Sequence, residues 1–137
     1  MRVFIGIFFA TLTNFLMGLF GFFLSSYSFF NSFAPQNFHN DLSGNDYFFS
    51  FILKFFVILI LTWIMYRVMA MLDSPKKRVL FIFLLGSAFS LYYQVDIFWS
   101  ENLLVWGLFI TLGESTNWLL TGYVLSKFIK PKHLGAY

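Results

Sequence analysis

Residues 51–97 read FILKFFVILILTWIMYRVMAML at 51–72, DSPKKR at 73–78 and VLFIFLLGSAFSLYYQVDI at 79–97. Each apolar run is about 20 residues long, enough as a helix to cross a hydrocarbon core of about 30 Å. Between them lies a short basic turn in which Pro75 is expected to stop the preceding helix. Basic loops stay on the cytoplasmic side of a membrane, so Lys76, Lys77 and Arg78 set the closed end of this hairpin inside.

Outward from the hairpin, an apolar run at 3–24 follows Arg2, and another at 103–128 leads into a tail with Lys127, Lys130, Lys132 and His133. The links around 25–50 and 96–102 hold Asp41, Asp46, Asp96 and Glu101 but no Lys or Arg. The expectation is an all-α polytopic membrane protein: one membrane domain over 1–137, a four-transmembrane-helix bundle with spans at about 3–24, 51–72, 79–97 and 103–128. Both termini are then cytoplasmic, 25–50 is an outer loop, and the expected location is the cytoplasmic (inner) membrane. Lys54 and Arg67 sit toward the ends of the second run and are expected to snorkel to the headgroups. Tyr27, Tyr47, Tyr92, Tyr93, Trp99 and Trp106 cluster toward the outer surface, and Tyr66 and Tyr123 toward the inner one. A cleaved signal peptide would also begin with Arg2 and an apolar run, but this run is longer than a signal core and no small-x-small site follows it.

Composition agrees. Hydrophobic residues make up 59% and charged residues 11%, against about 25% charged in soluble domains. The 22 phenylalanines are spread through every apolar run and read as filler. The chain has no cysteine, which excludes disulfides, thiolate metal sites and cysteine nucleophiles. The net charge of +3 lies mostly at run ends, a membrane-orientation pattern and not a nucleic-acid surface. His39 and His133 both lie outside the runs, so two histidines cannot ligate a haem within the bundle. No cofactor or metal is expected. Ser115 beside Glu114 is no nucleophile–base pair, because adjacent helical residues point in different directions. The loop at 25–50 carries Phe29, Phe30, Phe33 and Phe38 and is expected to fold back as an interfacial helix or lid.

Lipid offers polar side chains no partners, so those inside the runs should face other helices. By a rise of 1.5 Å per residue, Asn14 lies roughly 15 Å, Glu114 roughly 17 Å and Asn117 roughly 21 Å below the outer boundary. Glu114, Asn117 and Thr121 follow an i, i+3, i+7 pattern on one face, and Ser87, Ser90 and Gln94 repeat it in the third run. These seven residues form the candidate intramembrane polar site. Gly6, Ala10 and Gly18, with Gly107 and Gly122 in the last run, are candidates for close helix packing. Glu114 has a functional reading, as a protonatable ligand-binding or proton-coupling group. Its structural reading is a protonated glutamate hydrogen-bonded to Asn14 or Asn117 as interhelical glue.

Two stretches carry a resemblance. Asn14-Phe15-Leu16-Met17-Gly18 resembles the Asn-Phe-x-x-Gly start of a family of small four-helix integral membrane proteins of unknown function, and Leu120-Thr121-Gly122-Tyr123-Val124-Leu125 is similar to its final span. The Trp-Tyr pair that family carries after its first glycine is absent, with Phe22 and Phe23 nearby instead. The resemblance implies a fold and no established activity. Small multidrug exporters also have four helices and a membrane glutamate, but theirs lies in the first span, and the one-sided charge here does not suit dual insertion.

Three functions remain open. One is a non-enzymatic membrane protein whose polar site binds a small molecule or lipid or exchanges a proton. Another is a structural or assembly subunit of a larger membrane complex. The third is an intramembrane enzyme using Glu114 as acid or base. The corresponding partners are the lipid bilayer, a small-molecule or lipid ligand, and further copies or subunits of a membrane complex; nucleic acid is not among them.

Overall fold

A computed structural model describes residues 1–25, 32, 43–93 and 104–130. Among these, the chain is all-helical, with α1 (Arg2–Ser25), α2 (Gly44–Arg67), α3 (Pro75–Tyr93) and α4 (Leu104–Phe128) and no strand. The Phe-rich part of the expected outer loop, His39, Asp41, Gln94, Asp96, Trp99, Glu101, Lys132 and His133 lie outside the described residues.

Helices α1 and α4 cover nearly the same residues as the first and last apolar runs, whereas the middle pair is displaced from theirs. Helix α2 begins at 44 and not near 51. Ser43 accepts from the Asp46 N–H while the Asp46 carboxylate accepts from the Ser43 N–H at 2.8 Å, a reciprocal cap that starts the helix before its apolar run. At its other end, α2 stops at Arg67 and passes into a 3₁₀ turn at Met69–Met71. Pro75 does not stop a helix but opens α3, where its missing N–H costs nothing. Ser74 caps that start by accepting from the Lys77 N–H at 3.3 Å. Arg78 is buried at 3% exposure. Its guanidinium donates to the carbonyls of Leu72 at 2.9 Å and Asp73 at 3.3 Å, tying the end of one helix to the start of the next.

Helix α4 is central: its largest interfaces are with α3 and α1, α1 also packs on α2, and α2 touches α3 least. Small residues allow the close approaches. A Cβ added at Gly6 would lie 2.6 Å from Phe128 Cβ, and one at Gly122 would lie 2.9 Å from the Val79 carbonyl oxygen. A Cβ at Gly86 would collide with the Trp118 ring. These contacts run α4 antiparallel to both α1 and α3. They gather Arg2, the 73–78 turn and Lys127 at one end of the bundle.

Two helices, α1 and α2, are long and apolar enough to cross a membrane. Helix α3 opens with Lys76, Lys77 and Arg78, and α4 carries Glu114, Asn117 and Lys127. The interior has an apolar core around Ile58, Leu61, Met65 and Ile82, but the outer face is apolar as well, unlike that of a water-soluble bundle. Asn14, Asn117 and Thr121 are at 2% exposure or less, whereas Leu53 is 65% and Leu112 70% exposed. Phe4, Phe20, Phe56 and Trp63 also face outward.

Candidate functional site: a polar network inside the bundle

The network starts at Asn14, in the middle of α1. Thr121 on α4 donates its hydroxyl to the Asn117 carbonyl one turn earlier, at 2.8 Å. That leaves the Thr121 oxygen as an acceptor, and Asn14 Nδ2 donates to it at 3.0 Å. The Asn14 Oδ1 is thereby turned the other way, where the Lys54 ammonium of α2 donates to it at 2.9 Å. An ammonium has only donors and needs an acceptor, so both ends of the amide are fixed by groups that permit one orientation. Asn117 Nδ2 adds a bond to the Asn14 backbone carbonyl at 3.1 Å. Through these contacts one residue of α1 joins α2 and α4.

Lys54 departs from the sequence expectation. It does not snorkel outward but reaches into the bundle. The reason lies in the early start of α2: with the helix beginning at Gly44, Lys54 stands ten residues along it, about 15 Å from its end by the helical rise. It is therefore not a rim residue.

Glu114 also differs from the expected arrangement. It is half-buried, and it does not bond to Asn14 or Asn117. Its Oε2 accepts from Ser90 of α3 at 3.4 Å, while Ser90 Oγ accepts from Trp118 Nε1 at 2.8 Å. Residues i and i+3 lie on neighbouring but distinct lines of a helix, so Asn117 meets α1 while Glu114 turns toward α3. Lys54 and Glu114 form no ion pair with each other among the described residues.

The remaining candidates divide. Ser87 has a buried hydroxyl with no partner among the described residues, as does the Asn117 Oδ1. Thr62 of α2, which the sequence reading did not select, is in the same position. Ala10 and Gly107 are buried, and Gly6 and Gly122 are packing contacts. Gly18 is not a helix contact: the nearest atom to a Cβ there is the Lys54 Nζ, at 3.4 Å. Gly86 against Trp118 was missed, because a lone glycine in an apolar run carries no repeat to mark it. Among the described residues no group of three acidic or histidine side chains converges as a metal site would require.

Fold and site together define an all-helical protein with two helices apolar enough for a membrane and a charged, hydrogen-bonded interior. Compared with known protein families, curated proteins and solved structures, the chain matches none.

Proposed function

We propose that the protein is a multi-pass membrane protein of the cytoplasmic membrane, with four spans and both described ends inside, and that its interior polar site binds a small molecule or lipid or exchanges a proton. The observation that carries this reading is the Lys54–Asn14–Thr121 chain of hydrogen bonds beside Glu114, at 2.9 and 3.0 Å. Charged groups inside a bilayer are expensive, and where they persist they commonly serve a ligand, an ion or a proton. The outward-facing apolar side chains and the basic residues gathered at one end support the membrane assignment. No catalytic step is assigned: Ser90 meets Glu114 by one long bond of 3.4 Å and is also held by Trp118, and no second acid is held against Glu114 among the described residues.

The assembly-subunit reading is favoured by a separate observation. Asn14, Asn117 and Thr121 bond to one another across α1 and α4, as interhelical glue would. Native mass spectrometry of gently solubilised protein separates the two readings. A bound non-protein mass that Glu114→Gln removes is the expected result for a binding site. Retained protein subunits with no such mass would favour assembly.

A further inference from the structure

The basic end of the bundle is not neutralised by the protein. Arg2, Arg67, Lys76, Arg78, Lys127 and Lys130 lie there, at or beside helix ends. Asp73 is the one acid at that end among the described residues, because Asp46 opens α2 at the far end and Glu114 lies within α4. Lys77 already holds it at 2.9 Å, in the single salt bridge among the described residues. Residues 131–137 add Lys132 and His133 but no Asp or Glu. Such an excess orients a membrane protein whatever binds there, so charge alone names no site.

Two of the cations are placed more closely. The Arg67 guanidinium lies 5.1 Å from the centroid of the Trp63 ring, and the Lys127 ammonium lies 4.8 Å from that of Tyr123. Each pair is spaced i, i+4, one on α2 and one on α4. Helical side chains lean toward the N-terminus of their helix, which at this end is away from the cytoplasm. Each cation is thereby drawn back over its ring. Trp63 is 58% and Tyr123 53% exposed, so both pairs face outward and not into the bundle. Exposed side chains continue each pair along one face: Phe56, Ile60, Trp63 and Arg67 on α2, and Leu112, Thr116, Leu119, Tyr123 and Lys127 on α4. The α2 column is about 16 Å long by the helical rise, close to half of a hydrocarbon core of about 30 Å. Each column therefore matches one leaflet: apolar along its length, aromatic at the boundary and cationic at the headgroup level.

The 68–74 link is short, and Arg78 ties it down through the carbonyls of Leu72 and Asp73. It keeps the basic turn level with the helix ends, where a phospholipid phosphate lies; an acidic protein would have to reach past the headgroups. A cation over a ring still presents N–H donors to an acceptor beside it. We propose that Arg67–Trp63 and Lys127–Tyr123 are two seats for anionic phospholipids of the cytoplasmic leaflet, with the phosphate on the cation and an acyl chain along the column beside it. The unneutralised charge around both seats favours a net-negative headgroup over a zwitterionic one. The inference rests on the membrane reading above and is independent of the interior site.

The full chain is reconstituted in vesicles of phosphatidylcholine and phosphatidylglycerol, extracted gently, and its retained lipid counted by native mass spectrometry. Phosphatidylglycerol should be enriched over its share of the vesicle. The enrichment should fade between 0.1 and 1 M salt, as the screening length falls from about 10 Å to about 3 Å. Arg67→Gln and Lys127→Gln change exposed side chains and should fold. Each should lower the enrichment about fivefold, the scale of one cation near an anionic surface. Lys76→Gln, which removes the same charge from the same end but has no ring, should lower it less. Equal loss in all three variants would reduce the effect to diffuse attraction and overturn the seats, as would no enrichment at all. Displacement of the lipid by inorganic phosphate, or a retained acidic polypeptide in its place, would overturn the lipid as occupant. A chain that inserts but retains both lipids equally loses this inference alone; a chain that alkaline carbonate washes off the vesicles loses the membrane reading with it.

Discussion

Asn14 is the residue on which most of the interior depends, because its amide and carbonyl serve Thr121, Lys54 and Asn117 together. Asn14→Leu removes the acceptor of a cation, and leaving a buried charged group unpaired costs about 1–3 kcal/mol or more. Thr121→Val removes two neutral bonds, of which the one across helices, from Asn14, is worth about 0.6 kcal/mol on the interhelical scale. Thermal unfolding in detergent should therefore rank Asn14→Leu well below Thr121→Val, and equal midpoints would show that Lys54 finds another partner. Asn14, Asn117 and Thr121 were legible in the sequence, since depth counted from the run ends brings α1 and α4 residues to one level. Lys54 was not legible by the same count. Its run starts at 51 only when apolar residues are counted; the Ser43-x-x-Asp46 cap, which moves the helix start to 44, is a polar signal. Glu114 was expected to meet Asn14 or Asn117 and instead accepts from Ser90, because spacing does not say which neighbouring helix a half-turned side chain meets.

The glycines of individual helices are not equivalent. At Gly86 a methyl group would enter the Trp118 ring, which its own bond to Ser90 holds in place at 2.8 Å. At Gly18 a methyl group meets only the flexible end of Lys54 at 3.4 Å. Gly86→Ala should destabilise the α3–α4 pair by about 1–3 kcal/mol, the usual cost of overpacking. Gly18→Ala should be neutral or gain up to about 1 kcal/mol from helix propensity. The same detergent melts check both, and a more stable Gly86→Ala would mean that Trp118 swings away freely. At the α2–α3 turn, Asp73 pairs with Lys77 at 2.9 Å. The hydrogen bond from Lys77 holds the Asp73 carboxyl below its ordinary pKa. A depressed folded value means the pair helps at neutral pH and is lost as pH falls through that value. The effect is small because both groups are solvated. In Asp73→Asn this acid-side loss, followed by amide exchange at the start of α3, should disappear. The sequence marked this turn but misread Pro75: a proline can end one helix or open the next, and the Ser74 cap decides for the second.

At the scale of the whole molecule, the question is whether two helices cross the membrane or four. By length and composition, α1 and α2 alone qualify among the described residues. Packing supports four, because α4 lies antiparallel along α1 from the Gly6–Phe128 contact to the Asn14–Thr121 bond. On the four-span proposal α4 sits at the depth of α1, and α3 follows through Gly86–Trp118 and Gly122–Val79. The less apolar composition of α3 and α4 fits that picture, since their polar groups turn inward, as Ser90, Asn117 and Thr121 do. The chain has no cysteine, so single cysteines can be placed at exposed positions near each helix end: Asn45, Lys76, Tyr92 and Lys130. An impermeant maleimide added to intact cells should label Asn45→Cys and Tyr92→Cys, and should reach Lys76→Cys and Lys130→Cys only after permeabilisation. The reverse pattern would invert the orientation. Labelling of Tyr92→Cys only after permeabilisation, together with Lys76→Cys, would show that α3 does not cross. That result would place the Ser90–Glu114 contact outside the hydrocarbon, where a carboxylate needs no ligand to be comfortable.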